Sequence, residues 1–281
     1  MFGKTVKISL LIVLLKATLP TPTPAAPKPE LWARWEAYDP ASDIRIDHNA
    51  WGQFLGKYLV RDDPSGVNLM RYADVSPQDK KLLEDYLKKL QEAEVSKLNR
   101  AEQKAFWINL YNALTVKVVL DHYPVKSIRN IDISPGWFSI GPWGAKLLTI
   151  EGEQVSLDDI EHRILRPIWK DNRVHYGVNC ASIGCPNLQP EPFTADNTDK
   201  LLEKGACEYV NSPRGARIQG NKLTLSSIYN WFQADFGGSE QGVIQHLLKY
   251  AAPSLAKQLK NFNGRISYQY DWNLNDYTRT N

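Results

Sequence analysis

The stretch 105–120, AFWINLYNALTVKVVL, constrains this chain more than any other. It is apolar nearly all round at helical spacing, so a helix built from it belongs in the interior, wrapped by the rest of the chain. Asn99, with Glu102 three residues on, marks its start and predicts a helix over 100–122. Two amides, Asn109 and Asn112, interrupt the run three residues apart, on neighbouring ground of one face. Buried amides need hydrogen-bond partners. Either they tie loops to the central helix, or they orient an imidazole or line an oxyanion pocket.

The remainder supplies enough apolar surface to wrap such a helix: 43% of the 281 residues are apolar and 23% charged. Trp51, Phe54, Leu55 and Tyr58 fall at i, i+3, i+4 and i+7, which predicts an amphipathic helix over 49–60. Ser76-Pro77 opens a second helix, whose polar tail runs through Lys97. Hairpins are expected at 146–155, around Glu151-Gly152, and at 217–225, around Gly220-Asn221. Ser156 caps a further helix, with Asp159 at the capping-box position and Pro167 near its end. Alternation in RVHYGVN (173–179) and ISYQYDW (266–272) reads as two strands, and helices are expected at about 227–235 and 239–261. This order is neither a βαβ alternation nor all-helical. It predicts an α+β fold, a helical N-terminal half packed on a small antiparallel or mixed sheet.

The N-terminus reads as an export signal. Residues 1–25 carry Lys4, Lys7 and Lys16 and no acid, then the apolar run ISLLIVLL at 8–15, then small residues at Thr23-Pro24-Ala25. That run is far short of the ~20 residues needed to span a bilayer as a helix. An exported chain, periplasmic or extracellular, with no stable membrane span after cleavage is expected. Residues 26–47 read as a Pro-rich linker and N-terminal extension, and 48–281 as a single domain. The formal net charge of +3 resides in those three lysines, so the body is neutral. A neutral body argues against a dominant nucleic-acid or anionic-membrane surface.

Chemistry-bearing residues concentrate between 107 and 186. Glu161 falls inside the apolar stripe Leu157, Ile160, Ile164, Leu165 and Ile168, and a carboxylate aimed into a core needs a partner or a task. The bland partner is Arg166 or Arg173. His162 lies at the border of that stripe. Cys180 ends RVHYGVN and opens CASIGCP, where small residues leave space around a thiol. His175 falls on the opposite face if 173–179 is a regular strand. With Cys180, Cys185 and Cys207 the chain has an odd number of thiols, and one disulfide plus one free thiol is the simplest arithmetic. A Cys185–Cys207 pair leaves Cys180 reactive; a Cys180–Cys185 pair silences it. A metal site built on His162, His175, Cys180 and Cys185 lacks the usual ligand spacings, and redox use of C-x4-C departs from C-x-x-C. G-x-S-x-G, Walker and dinucleotide fingerprints are missing, so no cofactor is implied.

The runs AFWINLYNALTVKVVL (105–120), SLDDIEHRILRP (156–167), RVHYGVNCASIGCPNL (173–188) and YDWNLN (270–275) together resemble the family known as domain of unknown function 547, bacterial exported type, over roughly residues 48–275. The resemblance implies a site built from Glu161-His162, Cys180 and the asparagines of WINLYN. It also implies that Cys185, a serine in plant-type relatives, is secondary to Cys180. The set of Cys, His and carboxylate or amide is similar to that of papain-like and transglutaminase-like thiol enzymes. Here His precedes Cys, which implies a circularly permuted arrangement.

The function expected is a thiol-dependent hydrolase or acyltransferase acting on a small-molecule or peptide amide, ester or thioester. Cys180 is the nucleophile, His162 the base with His175 as second choice, and Glu161 or Asn112 orients the imidazole. One difficulty attends this set: adjacent helical residues diverge by about 100°, which separates Glu161 from His162. The alternative is a non-catalytic exported binding or structural domain whose polar set is a buried network.

Overall fold

Helices α1 (Asn49–Tyr58) and α2 (Pro77–Gln91) lead into α3 (Arg100–His122), the axis about which the chain is wound. The computed structural model describes residues 27–136 and 139–277, so the signal segment expected at 1–25 lies outside the described residues. Caps set the helix starts. Ser76 accepts the Asp79 N–H at 3.1 Å, and Asn99 accepts that of Glu102 at 3.0 Å. Helix α1 buries Trp51, Phe54, Leu55 and Tyr58 and stops two residues early, because Leu59–Val60 (β1) pairs antiparallel with Leu69–Met70 (β2). Helix α2 ends at Gln91 rather than running to Lys97, and Val95 is buried beyond it.

Because α3 is surrounded, its polar side chains meet other segments instead of water, and they tether the wrapping. Glu102 accepts the Ile46 N–H at 2.8 Å. Gln103 donates to the Ala37 and Val95 carbonyls, each at 2.8 Å. Lys104 pairs with Asp171 at 2.7 Å.

A hairpin of β3 (Leu148–Ile150) and β4 (Glu153–Val155) follows, then a π-helix over Asp159–Leu165 that continues as α4 (Arg166–Trp169). After α5 (Val174–Gly177) and α6 (Thr198–Val210), strands β5 (Ala216–Gln219) and β6 (Lys222–Ser226) form the second expected hairpin. Then come α7 (Ile228–Trp231), a 3-10 turn over Gln233–Phe236, α8 (Glu240–Tyr250), α9 (Pro253–Lys260) and β7 (Arg265–Gln269). The helix expected over 239–261 is broken where Pro253 lacks the N–H to continue α8. Strand β7 joins β6 in parallel, giving a mixed sheet in the order β5-β6-β7. The fold is α+β, as the element order predicts. Among the described residues no helix is long and apolar enough to cross a membrane.

Two apolar cores result. One gathers α1, α2, α3 and the π-helix; the other gathers α6, the mixed sheet, α7 and α8. Two further segments clasp them. The extension expected to be a linker is docked from Pro27 onward: Trp35 is buried with its ring centroid 5.0 Å from that of Trp107. At the other end, residues 271–277 run back across both halves. Leu274 bridges Ser182 and donates to Lys126 O at 2.8 Å, while the Asn275 carbonyl accepts the Met70 N–H at 2.8 Å.

Candidate active site

The π-helix has a local cause. Asp159 and Ser156 form the expected reciprocal box: Asp159 accepts the Ser156 N–H at 2.8 Å, and the Ser156 hydroxyl accepts the Asp159 N–H at 3.2 Å. At the far end Pro167 has no N–H to return to the carbonyls one turn back. The freed carbonyls of His162 and Arg163 accept instead from the Glu30 and Trp32 N–H groups, each at 3.0 Å. The Arg166 N–H bonds the Glu161 carbonyl, the i to i−5 pattern of a π-turn. A wider turn rotates less per residue than an α-turn. Glu161 and His162, which an α-helix would set about 100° apart, therefore line one cavity together.

That cavity, of about 470 Å³, opens at the seam between the two cores. Its floor is a chain of acids and imidazoles. His175, only 3% exposed, faces Asp235 through Nε2 at 2.8 Å and Glu161 through Nδ1 at 3.5 Å. Its ring stacks on Phe232 at 4.3 Å. Burial pushes the His175 imidazolium down, but the two carboxylates outweigh it and raise the group above its usual range. Burial likewise pushes Glu161 up, yet His162, His175 and Arg166 prevail and hold it at about 2. His162 goes the other way: burial lowers it to about 4, so it is neutral at pH 7. Its Nδ1 sits 3.1 Å from an Arg166 N–H, which leaves its proton on Nε2, 3.6 Å from Asp158. Asp158 is driven up to about 6 by burial and by Glu161 and Asp159. The arginine partners expected for Glu161 are otherwise engaged, Arg166 with Asp235 at 2.6 Å and Arg173 with Asp171 at 2.9 Å.

The segment expected as a strand at 173–179 is instead helix α5 with an extended exit. The Asp171 side chain accepts the Arg173 N–H at 2.9 Å and starts a helical turn. The Asn112 amide ends it, donating to Gly177 O at 2.9 Å and accepting the Asn179 N–H at 2.8 Å. This turn swings His175 into the cavity, where a regular strand would set it apart from Cys180. Asn112 is thus a clamp on the approach to Cys180. Asn109 clamps Phe193 in the same two-way fashion, at 2.7 and 3.0 Å, and does not line the cavity.

Beyond Asn179 the chain folds back on itself. Ala181 adopts φ 57°, with its N–H on Asn179 Oδ1 at 2.8 Å, and Asn179 also donates to Pro186 O at 2.8 Å. Gly184 is required by contact: a Cβ there would lie 2.8 Å from Asp271 N. The loop brings Cys180 Sγ to 3.0 Å from Cys185 Sγ, 3.1 Å from Tyr270 OH and 3.2 Å from Ser182 Oγ. These three hydrogen bonds, Cys185 foremost, outweigh burial and lower the Cys180 thiol. Burial pushes Cys185 well up.

Two expectations are corrected here. All three cysteines are free thiols, where the arithmetic anticipated one disulfide. Among the described residues neither His162 nor His175 hydrogen-bonds Cys180, because the thiol is held by Ser182, Cys185 and Tyr270 while the imidazoles are held by Arg166, Glu161 and Asp235.

The remaining wall is aromatic. Trp231, Tyr270 and Trp272 pack with centroids 4.6–5.6 Å apart, and Trp143 meets Trp272 at 5.8 Å. Tyr111, from the WINLYN run, also lines the cavity; its hydroxyl bonds no other described residue. Sequence reasoning missed Asp158, Tyr111, Asp235, Tyr270 and this wall. Asp158 and Tyr111 stand inside quoted motifs, beside residues that were singled out. Asp235 carries no local signal. Among the described residues no group of three or more His, Cys, Asp or Glu side chains is arranged to hold a metal ion.

No curated protein and no solved structure matches the chain. The motif resemblance reached from 48 to 275, whereas the family match is narrower and leaves YDWNLN outside it. Residues 95–210, which carry α3, the π-helix, α5 and both cavity cysteines, match the family described as Protein of unknown function, DUF547.

Proposed function

We propose that the protein is a thiol-dependent hydrolase or acyltransferase, exported from the cytoplasm, with Cys180 as nucleophile toward an amide, ester or thioester. One observation carries the reading: a free thiol faces a ligand-sized cavity, and hydrogen bonds from Cys185, Ser182 and Tyr270 lower its pKa. A thiol held in this way needs no imidazole in contact with it to ionise. Its thiolate attacks the acyl carbon, the carbonyl π-bond closes onto oxygen, and the hydroxyl of Tyr111, which lines the same cavity, is a donor for that oxygen.

The proton carrier expected of His162 is better filled by Asp158. Burial and its acidic neighbours bring Asp158 up to about 6, close to neutrality, whereas His162 titrates at about 4. Asp158 gives a proton to the leaving group and regains one from the water, or accepting alcohol or amine, that releases the acyl group. Glu161 and Asp235 favour the cationic form of His175. The likeness to permuted papain-like enzymes belongs to this proposal and rests on chain order.

The test is the iodoacetamide rate at Cys180 as a function of pH, compared in wild type and Tyr270→Phe. A midpoint below the free-thiol value of ~8.5 that rises in the variant is expected. A rate that titrates at or above that value in both proteins overturns the reading. Incubation with p-nitrophenyl acetate should leave an acetyl group on Cys180, seen by peptide mass. The aromatic wall favours a second reading, a non-catalytic site for a peptide or glycan, in which Cys180→Ala binds as wild type does and no acyl adduct forms.

A further inference from the structure

We propose that Cys180 and Cys185 form a reversible dithiol–disulfide couple, so that the cavity is also a site of thiol–disulfide exchange with external disulfides. The geometry is specific. The two sulfurs lie 3.0 Å apart, and the Cys180 N–H points at Cys185 Sγ, also at 3.0 Å. The C-x4-C spacing, which departs from the usual redox motif, is compensated by the left-handed turn at Ala181 and by the Cys185 N–H on Ser182 O at 3.1 Å. Arg214 fixes the outer side of the loop through the Ile183 and Cys185 carbonyls, at 2.9 and 2.5 Å. These bonds hold the sulfurs about 1 Å beyond the length of a disulfide bond.

The partners are unequal in a way that divides the labour. Cys180 is half-buried and lines the cavity wall, while Cys185 is only 5% exposed. Cys180 meets the incoming disulfide and Cys185 resolves it. In the first step the Cys180 thiolate attacks one sulfur of RSSR; the S–S bond breaks, RS⁻ leaves and takes up a proton, and Cys180–S–S–R remains. In the second, Cys185 loses its proton and attacks the Cys180 sulfur, expelling the second RS⁻, which takes that proton. Two protein thiols are oxidised to one disulfide, and RSSR is reduced to two RSH. The proposal shares Cys180 with the acyl chemistry but does not depend on it, since no acyl substrate enters its test.

The full chain is equilibrated with reduced and oxidised glutathione at graded ratios, quenched in acid, alkylated with N-ethylmaleimide and read by peptide mass. The expected product is one Cys180–Cys185 disulfide, with the exposed Cys207 still alkylated, reversed by dithiothreitol. In Cys185→Ser, a near-isosteric change whose folding is checked by thermal melting, the glutathione mixed disulfide at Cys180 should persist about tenfold longer or more. The proposal is overturned if both cavity cysteines stay alkylatable across the series, if Cys207 is the partner, or if the variant's mixed disulfide decays at the wild-type rate. Acetylation of the reduced protein is scored separately, so either idea can fail alone.

Discussion

Replacing His175 by Gln removes the cation that the cavity floor is built around. Its Nε2 lies 2.8 Å from Asp235 and its Nδ1 3.5 Å from Glu161. In the variant Asp235 keeps Arg166 at 2.6 Å, but Glu161 keeps only that more distant arginine and a neutral His162. Removing one member of a buried ion pair costs about 3–5 kcal/mol. The whole depression of Glu161, to about 2 from an ordinary 4.5, corresponds to linkage on the order of 3 kcal/mol at neutral pH, shared among His162, His175 and Arg166, so it bounds the part that His175 supplies. For a chain of this size the loss lowers Tm by about 10 °C. The pH dependence is the sharper signature. Stability from the depressed Glu161 is present above 4.5 and is lost as pH falls through about 2. Stability from the raised His175 is complete below 6.5 and is lost as pH rises through its folded value. Urea unfolding should therefore show the widest gap between wild type and His175→Gln from pH 4.5 to 6.5, narrowing on both sides. A gap under about 1 kcal/mol at pH 5.5, or one constant from pH 3 to 8.5, refutes the assignment of His175 as a buried cation between two carboxylates.

The two asparagines of α3 should part company in their effects. Asn112→Ala leaves the Gly177 carbonyl and the Asn179 N–H unpaired, a loss of about 2–4 kcal/mol in thermal or urea unfolding, and it alters the alkylation rate of Cys180 because the loop loses its anchor. Asn109→Ala should destabilise to a similar degree through Phe193 yet leave that rate at the wild-type value; equal effects on the thiol would contradict the separate roles. Gly184→Ala forces the Cys180–Cys185 loop away from the Asp271 backbone, with about 2–3 kcal/mol lost and slower alkylation of Cys180, and a neutral outcome by melting and labelling would show that the loop has room to spare.

What the sequence made legible, and what it did not, divides by the distance over which each feature is determined. Helices α1, α2 and α3 announce themselves through caps and apolar spacing held within a few residues, and the structure follows α1 and α3 to within a turn, while α2 stops six residues short of Lys97. The seven residues of RVHYGVN carry an alternation that a strand would use. Their conformation is settled by Asp171 on one side and by Asn112, 67 residues from Asn179, on the other. The conflict between Glu161 and His162 dissolves for a similar reason: Pro167 frees two carbonyls, and only a segment more than 130 residues earlier satisfies them, so the π-turn stands. At the site the same rule holds. Cys180, His175, Glu161 and His162 were visible as residue types in short motifs. The groups that decide their protonation come from elsewhere, Asp235 after α7 and Tyr270 after β7, drawn in when the C-terminal segment pairs Leu274 with Ser182. Motif reading therefore names the reactive atoms, whereas the charge each one bears is a property of the closed fold. This is why the thiol owes its lowered pKa to a neighbouring thiol and two hydroxyls, and the imidazole nearest to it in sequence serves two acids instead.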